Sequence, residues 1–338
     1  MIYVVIAFLW TSILLYLILG GADFGAGILE LFTSDANKTK TRKTMYRAIG
    51  PIWEANHMWL IIAIVILFVG FPSIYTTMST FMHIPLVLML LGIIARGTAF
   101  TFRHYDAVKD EMQKIYNPIF VYSSFVTPLF LGIIAGSTVT RSINPQANNF
   151  LDAYIFSWLN AFSFAVGLFT VAICGFLAAV FIIGQTQEQS ERERFIRKAK
   201  AFNIMAVLAG AVVFGVSFIE DIPLTTWVFG SWPGVAAFIL ATISVIVLWS
   251  IWHKPYTNTM RFLAGFQVSM ILFITTWEHY PNIVLLKNGD ALSLLEEQGN
   301  AKTIDALAWA LLLGSIFILP TLVYLIYSFQ KNPATDKT

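Results

Sequence analysis

The sequence predicts an all-α polytopic integral membrane protein with nine transmembrane helices. Three observations predict it: nine apolar stretches of spanning length, only 12% charged against 57% hydrophobic residues in a chain of 338, and basic residues gathered into alternate loops. A soluble domain is typically about 25% charged, and a helix needs about 20 apolar residues to cross the hydrocarbon. Lipid offers the backbone no partners, so the spans satisfy themselves as helices. The 29 Phe, 12 Tyr and 10 Trp supply lipid-facing surface and interfacial belts.

In chain order the expected spans are 2–32, 49–74, 80–102, 116–139, 153–184, 202–220, 233–252, 262–285 and 304–328. The first has no Lys or Arg before Lys38 and no small-residue cleavage site, so it reads as a retained span rather than a secretory leader. The first and fifth are long enough to tilt or to project from the bilayer. Lys38, Lys40, Arg42, Lys43 and Arg47 follow span one; Arg103, Lys109 and Lys114 follow span three. Arg192, Arg194, Arg197, Lys198 and Lys200 follow span five, Lys254 and Arg261 span seven, and Lys331 and Lys337 span nine. The alternate loops hold only Arg141, Lys287 and Lys302. The positive-inside rule then places the N-terminus outside and the C-terminus in the cytoplasm. Spans one and two flank a basic loop, as do spans five and six, which suggests a four-helix unit over 1–150, a second over 151–303, and a ninth helix with a tail over 304–338. The lone Cys174 excludes an intrachain disulfide and reads as a small buried hydrophobe.

Four ionisable side chains interrupt the first three spans: Asp23, Glu54, His57 and Arg96. Such groups cost roughly 2.5–3.5 kcal/mol each at the centre of a spanning helix on insertion scales, so a chain that keeps several is pairing them, wetting them or moving charge through them. Counted from the nearest basic loop, all four sit about 10–15 Å deep on the cytoplasmic side. Glu54 and His57, at i and i+3, share a helix side. Pro51, three residues before Glu54, can open a turn and admit water. Gly21 and Gly25 bracket Asp23 as a small-xxx-small pair through which another backbone can approach.

Three readings of this cluster stay open. Arg96 can neutralise Asp23 or Glu54 in a fixed ion-pair network. A carboxyl raised by burial and lowered by Arg⁺ can exchange protons, which makes Asp23, Glu54 and His57 candidates for a proton path. His57 can also ligate a metal or haem, although a di-iron bundle site needs a second Glu-x-x-His and two more carboxylates. Toward the outer face lie His83, Glu220-Asp221 and Glu278-His279. Glu220 and Asp221 read as solvated helix-end residues, and Glu278 and His279 point about 100° apart, so they form no single chelating face. No phosphate loop, zinc cysteine pair or nucleophile elbow is present, nothing marks a nucleic-acid partner, and the longest outer loop, 286–303, carries nothing catalytic.

Gly21-Ala22-Asp23-Phe24-Gly25-Ala26-Gly27 in span one and Pro51-Ile52-Trp53-Glu54-Ala55-Asn56-His57-Met58-Trp59-Leu60 in span two resemble subunit II of cytochrome bd quinol oxidases. Phe71-Pro72-Ser73-Ile74-Tyr75 and Arg96-Gly97-Thr98-Ala99-Phe100 fit the same family. The resemblance is specific over 1–105 and beyond that rests on length, span count and loop order. It implies a bacterial cell-membrane complex that oxidises quinol and reduces O₂ to water, taking protons from the cytoplasm. Subunit I carries two b-type haems, haem d and the quinol site. This chain would bind no cofactor or metal of its own and would pack against subunit I; small single-helix subunits and membrane lipid are further expected partners. In that picture Asp23 and Glu54 match the family's acids of spans one and two, and Trp53 and Trp59 its flanking tryptophans, which with Gly21 and Gly25 are candidate subunit-packing positions. Two positions depart from the pattern: Gly20, where some relatives carry a further acid, and His57, where Gln is frequent. The competing class is a stand-alone proton- or ion-coupled transporter that uses Asp23, Glu54 and Arg96 as its coupling site.

Overall fold

A computed structural model describes residues 1–50, 53–105, 112–186 and 188–331. Span one is a continuous rod in which α1 (Ile2–Leu15) passes through a π-helical turn (Tyr16–Gly20) into α2 (Gly21–Leu31). The basic segment folds as a surface helix, α3 (Asp35–Ile49), which leads to span two, α4 (Trp53–Gly70), and a short outer helix, α5 (Pro72–Phe81), opened by its proline. Spans three and four are α6 (His83–Tyr105) and α7 (Gln113–Ser137). After the single turn α8 (Phe150–Tyr154) come spans five and six, α9 (Ala161–Ile183) and α10 (Gln189–Ile219). The small α11 (Leu224–Phe229) precedes α12 (Trp232–Ile251) and α13 (Thr257–His279), spans seven and eight. Span nine is α14 (Ala301–Lys331). Among the described residues, nine helices are long and apolar enough to cross a membrane.

Several boundaries differ from expectation: span two, expected over 49–74, runs from Trp53 to Gly70 and gives way to α5 at Pro72, and three further differences have local reasons. Residues 153–160, apolar enough to extend span five, belong to the end of α8 and the loop after it: Asn160 accepts a hydrogen bond from the Ser163 N–H and caps α9, so the helix begins at Ala161. Span six is longer than its apolar core, because α10 carries on through the basic stretch after Glu188. Span eight ends at His279 rather than 285, and the chain then forms an antiparallel pair, β1 (Asn282–Leu285) with β2 (Ala291–Ser293). Among the described residues that hairpin and the isolated bridge between Ile143 and Leu286 depart from the all-helical expectation. The hairpin turn carries Asn288-Gly289, with Gly289 at φ +95°, where glycine alone is comfortable.

α9 is the axle of the fold. Its residues from Cys174 to Val180 are all buried, as expected of a helix surrounded by others, and α2, α7, α10 and α13 pack on it. Close approach is made by small residues. A Cβ at Gly25 would lie 1.9 Å from the Cys174 carbonyl oxygen of α9, and one at Gly132 of α7 would lie 2.7 Å from Gly167 Cα. Elsewhere α4 packs on α1, α6 on α7, and α12 on α13. Among the described residues α14 packs chiefly on α1 and α4, and it exposes Trp309, Leu313, Ile316 and Phe317.

The hairpin is tied to α8 by Lys287 Nζ, 2.9 Å from Asp152 Oδ1, while Asn144 donates to the other carboxylate oxygen. These hydrogen bonds hold the Asp152 carboxyl below its ordinary pKa. A carboxylate depressed in the folded state contributes stability above its unfolded pKa, near 3.9, and loses it as pH falls through the folded value. Amide exchange across 282–293 is therefore expected to be flat through neutral pH and to quicken below about pH 4. The same rate at pH 3 and pH 7, after correction for intrinsic exchange, would contradict this tie.

Candidate functional site

The intramembrane cluster forms where α2, α4, α6 and α7 converge. Asp23 and Arg96 are each 1% exposed. Arg96 grips Asp23 with two parallel bonds, Nη1 to Oδ2 and Nη2 to Oδ1, both 2.8 Å, and Nη2 also donates to the Asp23 backbone carbonyl at 2.9 Å. Its Nε donates to Ser124 Oγ at 3.1 Å. This fork geometry is the strong form of a charge-assisted hydrogen bond. The Ser124 hydroxyl donates in turn to the Phe120 carbonyl one turn back on α7, so its oxygen lone pair faces the guanidinium. α2 and α7 touch at this level, because Gly27 leaves no room for a Cβ beside Ser124.

His57 completes the cluster. Its Nε2 lies 3.4 Å from Asp23 Oδ2, and its ring sits among Tyr16, Phe24 and Trp53, with centroids 6.1, 5.6 and 6.3 Å away. Among the described residues no three His, Cys, Asp or Glu side chains are placed to hold a metal.

A second ion pair lies one rung away and was not singled out from sequence. Glu30 is fully buried, bound by Arg42 Nε of α3 at 2.5 Å and by Arg103 Nη2 of α6 at 2.7 Å. The signal was present: Glu30 follows Asp23 by the same two turns by which Arg103 follows Arg96, so α2 and α6 present matching rungs. Phe120 lies between the rungs, its ring centroid 5.1 Å from the Arg96 guanidinium and 4.8 Å from that of Arg103. A narrow cleft with room for about one water opens beside them, lined by Arg42, Tyr46, Arg96 and Arg103.

Glu54 stands apart. It is exposed, on the outward side of α4 with Ile61, Val65 and Phe68, and makes no hydrogen bond or ion pair with a described residue. Pro51, expected to admit water beside it, lies outside the described residues. Gly21 and Gly25 pack inside this chain, against Cys174, Leu177 and Ala178 of α9. Trp59 is internal as well, 4% exposed and clustered with Tyr16 and Phe24. Trp53 is half-buried, its ring 5.2 Å from Phe100.

On the other side of the membrane, Glu220 accepts hydrogen bonds from the Ala161 and Phe162 N–H groups and so caps the start of α9. The His83 ring sits 5.1 Å from Tyr154, and that of His279 is 4.4 Å from Trp227. Glu278 and His279 share a cleft of about 330 Å³ with Arg141, Glu220 and Asp221.

Comparison with known proteins agrees with this architecture. A family model for cytochrome bd terminal oxidase subunit II matches residues 1–329. Cytochrome bd ubiquinol oxidase subunit 2 of Bacillus subtilis is 29% identical over 201 residues, which cover 59% of this chain and 58% of the relative. Cytochrome bd-I ubiquinol oxidase subunit 2 of Escherichia coli K12 is 27% identical over 180 residues, 51% of this chain and 46% of the relative. The matched region thus spans about half the length of these curated relatives. The bd oxidase structure from Geobacillus thermodenitrificans contains a chain of the same fold, with a TM-score of 0.79 and 17% identity, covering 98% of this chain and 99% of that one. The nine apolar helices of the described residues make the protein a multi-pass membrane protein, and the chain belongs to the cytochrome bd terminal oxidase subunit II family.

Proposed function

We propose that this chain is the haem-free second subunit of a quinol:O₂ oxidoreductase, a scaffold for a haem-bearing subunit I and a source of protons for it from the cytoplasmic side. Electron transfer and oxygen reduction belong in this reading to the two b-type haems and haem d of the partner. The N-terminus lies outside and the basic helix α3 lies against the cytoplasmic leaflet, as the loop charges require. Two four-helix units, 1–150 and 151–303, are supported by matched pairings: α4 on α1 and α6 on α7 in the first, α10 on α9 and α12 on α13 in the second.

The observation that carries the reading is Glu54. A carboxylate on the outward side of a spanning helix, among Ile61, Val65 and Phe68, is costly against lipid. A partner surface that covers it, or water held at such a surface, removes that cost. The two inner acids carry different duties. Arg96 grips Asp23 in an ion pair that holds α2, α6 and α7 together, whereas Glu54, with no arginine bound to it among the described residues, faces outward, where a partner surface can reach it.

Glu54→Gln is expected to slow O₂ reduction by roughly 10-fold or more, the scale on which a positioned proton-transfer group acts, while the haem spectra and the yield of complex stay as in the wild type. Wild-type turnover in that variant would assign Glu54 a structural role. Purification separates the oxidase from a stand-alone transporter: the chain should co-purify with a larger haem protein, and isolation as a colourless single chain would sink the oxidase reading.

A further inference from the structure

The cleft beside Glu278 and His279 lies where three spans end together. α7, α10 and α13 stop at Ser137, Ile219 and His279, and the residues that follow them, Thr140-Arg141, Glu220-Asp221 and Tyr280, line it. It therefore sits at the level of lipid headgroups, at the end of the bundle opposite the basic loops. Its volume, about 330 Å³, is that of a small-ligand site. Phe218, Ile219 and Trp277, in the last turns of α10 and α13, are exposed, so apolar surface adjoins the polar cleft.

The lining is polar and unbalanced in charge. Three carboxylates, Glu220, Asp221 and Glu278, share it with one guanidinium, Arg141. Glu220 is engaged by the N–H groups of Ala161 and Phe162, and Arg141 Nη1 donates to the Gly289 carbonyl at 3.2 Å. Asp221 and Glu278 are exposed and have no ion pair or hydrogen bond with a described residue. Trp227, which also lines the cleft, is 8% exposed, yet its indole N–H has no acceptor among the described residues and is not sealed from solvent. His279 Nδ1 donates to the Thr275 carbonyl at 2.8 Å, which leaves Nε2 an acceptor without a protein partner. Arg141 and Asp221 are the two described non-glycine residues with left-handed backbone, at φ +55° and +53°. Such conformations persist where the surrounding structure enforces them, and they gather at binding sites.

We propose that this cleft binds the headgroup of an aminophospholipid of the phosphatidylethanolamine class. The primary ammonium, with three N–H donors, takes Asp221 and Glu278 as its acceptors. The phosphate lies on the Arg141 guanidinium, whose fork matches paired phosphate oxygens. The Trp227 N–H donates to a phosphate or ester oxygen, and the acyl chains follow Phe218, Ile219 and Trp277 into the bilayer. Charge and donors together select the lipid. A glycerol headgroup brings no cation to the two free carboxylates, and choline brings a cation without N–H groups. A bare metal cation is a poorer match, since no three carboxyl, imidazole or thiol groups of the described residues are placed to hold one. The binding does not rest on the oxidase reading.

The test is native mass spectrometry of the purified protein, with any partner it retains, after exchange into equal parts of phosphatidylethanolamine, phosphatidylcholine and phosphatidylglycerol with matched acyl chains. The wild type should retain phosphatidylethanolamine several-fold over the other two. Asp221→Asn with Glu278→Gln should lose that preference at unchanged melting, since asparagine tolerates the left-handed backbone at 221. Asp290→Asn with Glu296→Gln removes two charges outside the cleft and should keep it. Excess soluble phosphoethanolamine should leave the lipid in place, because the acyl chains anchor it. A cryo-EM map of the wild type in the same lipids should show headgroup density beside Asp221, Glu278 and Arg141. Equal retention of the three lipids, an unchanged preference in the cleft variant, an equal loss in the control pair, displacement by phosphoethanolamine, or a partner segment filling the cleft overturns the proposal.

Discussion

Arg96→Ala is expected to cost about 3–5 kcal/mol, because removing one partner of a buried ion pair strands the other charge. In this chain the stranded group is Asp23, 1% exposed, which loses both carboxylate contacts and the donor to its backbone carbonyl. Ser124 loses its guanidinium at the same time, so α2, α6 and α7 lose their common tie. Low yield of assembled complex and a clear fall in melting temperature are the expected readouts. Arg96→Lys should rescue little, since an ammonium cannot reproduce the two-pronged grip. Arg96→Ala combined with Asp23→Asn should be less damaged than Arg96→Ala alone, because the neutral amide needs no counter-charge; that coupling is the quantity a double-mutant cycle isolates. Wild-type melting in Arg96→Ala, or strict additivity in the cycle, would contradict the pairing.

Spans and loops were largely legible because the bilayer imposes length and hydrophobicity on any crossing segment. Segments just outside it were less so. Residues 153–160 include Phe156, Trp158 and Leu159 and read as membrane, yet Asn160 starts the helix after them. The cluster was legible in membership more than in pairing. Asp23 and Arg96 met as opposite charges of similar depth should. Glu54 and His57, three residues apart, differ by about 60° around the helix, enough for His57 to reach Asp23 while Glu54 points outward. Depth counting alone carries no such phase. Glu30 and Arg103 were overlooked because both stand at span ends, where charges are ordinarily solvated; only their spacing from Asp23 and Arg96 gave the second rung away.

Gly25→Ala should open the seam between α2 and α9, while Gly21→Ala leaves it closed, although both glycines belong to the same small-xxx-small pair. At Gly25 the new methyl would meet the Cys174 carbonyl oxygen at 1.9 Å, its carbon at 2.5 Å and Ala178 Cβ at 2.6 Å. Two of those atoms are backbone, so no rotamer change relieves the clash and the helices must separate. At Gly21 the nearest atoms are Cys174 Sγ and a Leu177 methyl, both at 3.4 Å and both side chain, which is ordinary contact. Overpacking a tight core costs typically about 1–3 kcal/mol, and here it falls on the most enclosed helix of the fold. Cys174, the chain's single cysteine and 2% exposed, reports the outcome directly. In the wild type and in Gly21→Ala it should resist alkylation by a maleimide in the folded complex. In Gly25→Ala it should label readily, together with a lowered melting temperature. An unreactive Cys174 and unchanged melting in Gly25→Ala would mean that α2 and α9 do not touch backbone to backbone at this level.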